Sequence, residues 1–366
     1  MSTNTQSNWQ AHVAAQLATL TPILSKRGYT LAEQQPHTGG ERFLMKNLTT
    51  TSGDKLILYG NDAGGKPVVI KATCDHAGRQ ELLHERQCRA LLQNIDFAYS
   101  SFATPAELDF FTVSGYTITV QQYIDQTSTF LERPLEQQFA FALQALKTQA
   151  SARITTNSHL RKVRSTFGIR TGADYLRLIR AFVAALEHKQ ADRSAIDTVQ
   201  QVQDRLVDQQ ERIEQYGGFL THTDFVPHNF RIAGDTMYLL DWSSLEFGNK
   251  HESWARFLNF MTLYNPELET LLITYVEQNR APEERESLQL MRLYRLSELI
   301  TYYTNTLQNS EGNLLALNQA RVQFWRDVLL AELQNKRVER DVVAAYKTTR
   351  DQLRSAGEKE RQKNLH

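Results

Sequence analysis

The spacing of hydrophobic and polar positions changes several times along the chain. Residues 7 to 27 repeat apolar side chains at helical intervals and run into Gly28, which predicts a leading helix that stops there. Five short stretches rich in β-branched and aromatic residues follow: RFLMKNLTT, KLILYGND, PVVIKAT, DFFTVSG and YTITVQQYI. Turn signals such as Ser52-Gly53-Asp54 and Gly64-Gly65-Lys66 separate most of them. Residues 78 to 93 interrupt the series with Leu82, Leu83, Leu91 and Leu92 on one helical face, so the region predicts a small antiparallel sheet carrying a single helix. From about Pro134 onward spacings of three and four dominate. DYLRLIRAFVAALEHK and SAIDTVQQVQDRLVDQQERIEQY predict long helices, the second traced by Ile196, Val199, Val202, Leu206 and Ile213 and ended by Gly217-Gly218. Helices resume after Trp254 and run to about Leu353, and the closing SAGEKERQKNLH lacks apolar content and predicts a frayed tail.

Composition narrows the function classes. The 366 residues carry 41 basic and 41 acidic side chains with 41% hydrophobic content, an ordinary globular balance that points to neither nucleic acid nor membrane as a partner. The first residues lack the basic and apolar regions of a signal peptide, and no later run approaches the roughly 20 apolar residues of a membrane span. Cys74 and Cys88 are too few for a disulfide framework and lack metal-ligand spacing; bystander thiols and a reducing, cytoplasmic compartment are expected. Arg153, Arg161, Lys162, Arg164 and Arg170 fall in a stretch without acidic residues and read as a solvated basic face.

The chemistry concentrates in GGFLTHTDFVPHNFRIAGDTMYLLDWSS, residues 217 to 244. Two short strands around Gly234-Asp235 predict a hairpin that links Asn229 to Asp241 and brings both toward Asp224. Carboxylate and amide oxygens in that arrangement suit a hard divalent cation such as Mg²⁺, with one carboxylate left to act as a base.

These residues carry a family resemblance. His222-Thr-Asp224-Phe-Val-Pro227-His-Asn229 resembles the catalytic loop of the aminoglycoside phosphotransferase and choline kinase-like family, and Leu240-Asp241-Trp242 resembles its metal-binding segment. The resemblance runs from about Arg42 to Leu258. It implies a bilobal, protein kinase-like α+β fold with a small antiparallel N-lobe carrying one helix and a larger, mostly helical C-lobe; with the leading helix in front, the lobes are expected over residues 1–125 and 126–335, and composition predicts a charged helical extension with a frayed tail over 336–366. It further implies ATP or another NTP, Mg²⁺, and transfer of the γ-phosphate to a hydroxyl of a small aminoglycoside, amino alcohol or sugar-like substrate. The sequence carries no signal for oligomeric state.

The same resemblance assigns roles. Lys71, ending Val68-Val69-Ile70-Lys71, would reach the α- and β-phosphates, with Glu85 rather than Glu81 holding it. Gln122, Tyr123 and Ile124 would form the hinge beside the base. Thr50, Thr51, Ser52 and Gly53 would cover the phosphates, with a single glycine where protein kinases use several, and the upstream Gly39-Gly40 pair reads as a turn. Asp224 and His222 form the catalytic pair, Asp224 receiving or orienting the hydroxyl proton and His222 serving mainly as scaffold. Asn229 and Asp241 would hold the metal; His228 is expected to face outward and Trp242 to pack beneath the loop.

Two departures stand out. Ser243 replaces an acidic residue, and Glu252-Ser253-Trp254-Ala255 occupies the place of a D-L-A segment, where Glu252 or Ser253 is expected to cap a helix. Trp254, Tyr264, Tyr302, Tyr303 and Trp325 are aromatic candidates for a substrate wall, and Glu246, Glu252, Glu267 and Glu269 acidic ones. Two other readings remain: a catalytically weak or inactive kinase-fold nucleotide-binding or regulatory protein, suggested by the glycine-poor loop, and a protein kinase or interaction scaffold. The chain lacks the H-R-D and A-P-E signatures of protein kinases.

Overall fold

A computed structural model describes residues 3–33, 35, 55–95, 102–354 and 359. The leading helix, α1, runs Thr3–Ser25, and Gly28 follows in a left-handed turn at φ 81°. Strands β1 (Thr30–Leu31), β2 (Leu56–Asn61), β3 (Pro67–Thr73), β4 (Glu107–Val113) and β5 (Tyr116–Gln122) form an antiparallel sheet in the order β1-β2-β3-β5-β4. The stretch RFLMKNLTT lies outside the described residues.

Alternation along the strands decides what covers each face. Leu56, Leu58, Val68, Ile70, Ile118 and Val120 are buried together with Leu20 and Leu24 of α1, so the leading helix closes one face of the sheet. Lys71 pairs with Thr119 in the β3–β5 register and therefore points to the other face. There α2 (His76–Gln93) begins at Asp75, whose carboxylate caps the Gly78 N–H at 2.8 Å.

The rest is mostly helical. Helices α3 (Leu135–Ser151), α4 (Asn157–Arg164) and α5 (Gly172–His188) are followed by α6 (Arg193–Asp208) and α7 (Gln210–Gln215). The single helix expected over 194–216 is thus broken at Gln209, which caps both pieces, although its buried stripe of Ile196, Val199, Val202, Leu206 and Ile213 holds. Helices α8 (Glu252–Tyr264), α9 (Pro266–Asn279), α10 (Pro282–Leu307), α11 (Gly312–Leu333) and α12 (Arg340–Leu353) complete the described chain. One continuous apolar cluster joins them, with α10 packed against α5, α8 and α11. The charged segment beyond residue 335 takes part in it, since Val343 and Tyr346 of α12 are buried and Tyr346 stacks on Phe324 at 4.3 Å.

Two short ladders hold the residues expected to carry the chemistry. Strands β6 (Phe219–His222) and β9 (Leu245–Gly248) pair antiparallel, as do β7 (Phe230–Ala233) and β8 (Thr236–Leu239). The β7–β8 turn is Gly234-Asp235, as its sequence predicts, with Gly234 at φ 57°. No described helix is long and apolar enough to cross a membrane.

Candidate active site

Strand β3 delivers Lys71 to the inner face of the sheet, and α2 delivers Glu85 to meet it. The Lys71 Nζ donates to both Glu85 carboxylate oxygens, at 2.9 and 2.7 Å. Glu81 pairs instead with Lys55, which decides between the two glutamates. Burial alone would raise the Glu85 carboxyl, but the Lys71 charge and hydrogen bond outweigh it and the carboxyl is held below its ordinary value. Arg89 and Gln121 each donate to Glu85 Oε1 at 3.3 Å, two supports that the sequence pattern does not reveal.

Asp241 stands directly before the short helical turn Trp242–Ser244, against which α2 packs. Its backbone is left-handed at φ 55°, ψ 56°, an uncommon state for a residue with a side chain and one that concentrates at functional sites. Ser243 Oγ and Ser244 Oγ donate to its two carboxylate oxygens at 2.6 and 3.1 Å. Burial would raise this carboxyl too; Lys55 and Lys71 lead the groups that lower it below the usual range. Lys71 and Asp241, far apart in sequence, thus act on one another across the gap between sheet and helices.

The residues expected to form the catalytic loop follow β6. The Leu240 N–H donates to the Asn229 carbonyl at 2.8 Å, continuing the β7–β8 ladder so that Asp241 emerges one residue beyond it. Asn229 Nδ2 donates to the Asp224 carbonyl at 2.8 Å and to Asp224 Oδ2 at 3.1 Å, which leaves the amide oxygen as its remaining donor atom for a cation. His222 is fully buried, and burial lowers its ring below the ordinary histidine value, so it is neutral. The Nε2–H then donates toward the carbonyls of Leu240 and Asp241, both at 3.1 Å, which makes the ring a brace between loop and hairpin. Trp242 is buried beneath, its indole N–H donating to the Leu239 carbonyl at 3.0 Å.

Asp224 holds an arrangement that the sequence does not announce. Arg256 Nε and Nη2 donate to its Oδ1 at 3.2 and 2.8 Å, and His228 Nε2 lies 3.6 Å from Oδ2. His228, expected to face outward, turns its ring to Asp224 and is 29% exposed. Burial opposes the Asp224 charge, but Arg256 and then His228 hold the carboxyl well below its ordinary value. Arg256 is the only charged residue between Glu252 and Glu267, and a lone charge in an apolar helix is the available clue that it has a partner.

The segment after Gly248 departs from expectation. Neither Glu252 nor Ser253 caps α8, whose N-cap is His251. Glu252 is drawn inward by Arg170 at 2.7 Å, Arg295 at 3.3 Å and the Tyr175 hydroxyl at 2.6 Å. Ser253 Oγ accepts the His222 N–H at 2.8 Å and meets the Thr221 hydroxyl at 2.8 Å, tying α8 to the start of the catalytic loop. Gly248 makes room for this, since a β-carbon there would meet the Tyr175 hydroxyl at 2.5 Å. Arg170 leaves the expected basic face for the same reason: it pairs with Glu246 and Glu252.

The remaining candidates divide. Gln122 ends β5, with Tyr123 and Ile124 just beyond, and the Tyr123 ring meets Tyr59 edge-on at 5.8 Å. Thr50, Thr51, Ser52 and Gly53, and the Gly39-Gly40 pair, lie outside the described residues. Trp254 and Trp325 are core side chains and Tyr303 packs against the core, whereas Tyr302 is exposed. Glu269 is paired with Arg292 at 2.6 Å, and Glu267 lines a cavity of about 480 Å³ between α9 and α12, which none of the predicted catalytic, nucleotide or metal residues borders.

No protein-family model matches the chain, and no curated protein matches it in sequence. Solved structures do. Aminoglycoside phosphotransferase APH(4)-Ia superposes with a TM-score of 0.60 at 16% identity, covering 88% of this chain and 98% of its own. The fold is that of the phosphotransferases. A thermostable mutant of APH(4)-Ia in ternary complex with ADP and hygromycin B gives 0.60 at 15% identity over 85% and 96%. Macrolide 2'-phosphotransferase type I gives 0.54 at 14% over 84% and 97%. The bilobal, kinase-like α+β architecture expected from the catalytic-loop and Leu-Asp-Trp motifs is therefore present.

Proposed function

We propose that the chain is an ATP-dependent phosphotransferase of the aminoglycoside phosphotransferase type, moving the γ-phosphate of ATP, or of another NTP, to a hydroxyl of a small molecule. The observation that supports it most is the convergence of the Lys71–Glu85 pair on Asp241, beside a loop in which Asn229 orders Asp224. Asp224, kept ionised, orients the acceptor hydroxyl and receives its proton. Lys71 neutralises charge on the α- and β-phosphates while Glu85 fixes its direction. Gln122, Tyr123 and Ile124 offer main-chain groups to the base.

Asn229 and Asp241 are fitted to Mg²⁺ by the chemistry of their oxygens. Among the described residues no cluster of three or more His, Cys, Asp or Glu is arranged for a metal, so one carboxylate and one amide suit an ion shared with nucleotide phosphates. When bound, Mg²⁺ supplies positive charge against the phosphate oxygens. His222 acts through its bonds to main chain. Two free cysteines, one of them buried with its thiol pushed up to about 12 by burial, fit a cytoplasmic setting.

A second reading, a nucleotide-binding protein without turnover, draws on the grip of Arg256 on Asp224. Asp224→Asn separates the two. Under the phosphotransferase reading the variant loses at least about 100-fold in kcat, the scale of a lost catalytic base, and binds ATP unchanged. Asp241→Ala loses Mg²⁺-dependent ATP binding. A wild-type protein that binds Mg·ATP and transfers to no hydroxylated amine, amino sugar, sugar or sugar acid favours the second reading.

A further inference from the structure

We infer that the acceptor molecule carries an anionic group next to its reacting hydroxyl, a carboxylate, phosphate or sulfate, and that Arg256 with His228 binds it. The inference rests on the phosphotransferase reading and names its substrate class.

The Asp224 side chain is 34% exposed, Arg256 17% and His228 29%, so the three form a patch that solutes reach. Arg256 spends Nε and Nη2 on a single oxygen, Oδ1, and its Nη1 donates to no acceptor among the described residues. A guanidinium presents five N–H donors in a fixed fork, so it can hold Asp224 and a second anion together. A hydroxyl that donates to Asp224 lies about 2.7 Å from the carboxylate. Substituents one or two bonds from that hydroxyl then fall beside Arg256 and His228.

Of the four acidic candidates for a polycationic acceptor, Glu267 lines the cavity between α9 and α12, and the other three are committed elsewhere. Glu246 is held by Arg170, Glu252 by Arg170 and Arg295, and Glu269 by Arg292. Along α8 two rings follow Arg256: Phe260, buried at 8% exposure, lies 6.2 Å from His228, and the half-buried Tyr264 stacks on Phe260 at 4.3 Å. Arg350 of α12 stands over Tyr264 at 5.9 Å. Rings suit a carbon skeleton, and the flanking arginines repel an ammonium group.

Calorimetric titration of the protein holding Mg²⁺ and a non-hydrolysable ATP analogue tests this. The probes are gluconate, glucuronate and glucose 6-phosphate, with glucose as the neutral probe and kanamycin as the cationic one. At least one anion should bind about ten-fold or more tightly than glucose, the worth of one charge-assisted hydrogen bond. Arg256→Gln should remove that advantage with analogue affinity unchanged, and Arg256→Lys, which keeps the charge without the fork, should retain part of it.

Binding of glucose or kanamycin as tight as that of every anion overturns the inference, as does anion affinity that survives Arg256→Gln. A loss confined to the ATP analogue overturns it too, by putting Arg256 on the transferred phosphate. Failure of the phosphotransferase reading is distinguishable: the wild type then shows no Mg²⁺-dependent binding of the analogue before any probe is added, and the inference falls with it.

Discussion

Asp224 keeps its charge against the cost of burial because Arg256 and then His228 face it, with the Asn229 amide donating beside them. The sign of the resulting pH dependence follows. A carboxyl whose folded value lies below its unfolded one stabilises the fold above about pH 4 and loses that contribution as pH falls through the folded value. The stability difference between wild type and Arg256→Gln, followed by urea denaturation, should therefore be constant near neutrality and shrink only in strong acid. By the same reasoning Asp224 contributes no acid limb to kcat/KM above about pH 4. At this scale the sequence was partly legible. Asp224, Asn229 and Asp241 could be named because a loop and a hairpin of fixed length bring them together, and Lys71 because its strand, Val68-Val69-Ile70-Lys71, resembles the family's lysine strand. Arg256 could not, because its partner lies 32 positions upstream and depends on the placement of α8.

Among the elements, α8 has the widest reach. Its first turn supplies Ser253 to the His222 N–H, Glu252 to two arginines and Arg256 to Asp224, so one helix carries both the support of the loop and the charge beside the reacting group. Ser253→Ala leaves a buried N–H without an acceptor, and a loss of about 1–3 kcal/mol in denaturation is expected, with kcat lowered and ATP affinity kept. Glu252→Gln takes one of two carboxylates from each of Arg170 and Arg295, which keep Glu246 and Glu298, and should cost up to about 3–5 kcal/mol. The strands and most helices were readable from period and turn chemistry. The break at Gln209 was not, because the apolar stripe runs through it without a change of spacing. Nor was the inward turn of Glu252, since a glutamate at a helix start looks the same whether it faces solvent or two buried guanidinium groups.

In the whole molecule, the sheet lies between α1 and α2, and the helical part is organised on α10, which is buried along most of its length. The division into a β-rich and a helical part could be read from the change in period, whereas the closing of the sheet by α1 could not, since a covered and an uncovered strand face share the same alternation. Mg²⁺ with an ATP analogue at 100 times its Kd should stabilise the protein by about 2.7 kcal/mol, seen as a rise in Tm that Asp241→Ala abolishes. Helix α10 ties down the segment from β6 to α8 at three points: Ser287 meets the Asn249 amide at 3.1 Å, Arg292 meets Asn259 at 3.0 Å, and Arg295 reaches Glu252 and the Thr223 carbonyl. Translated from space into time, these ties should make the end of β6, β9 and α8 a slow region, whose amides are expected to exchange with solvent only when the molecule as a whole opens. Under the phosphotransferase reading, motion that accompanies turnover should then fall to the sheet, with Asp224, Asn229 and Asp241 moving as a single block relative to Lys71.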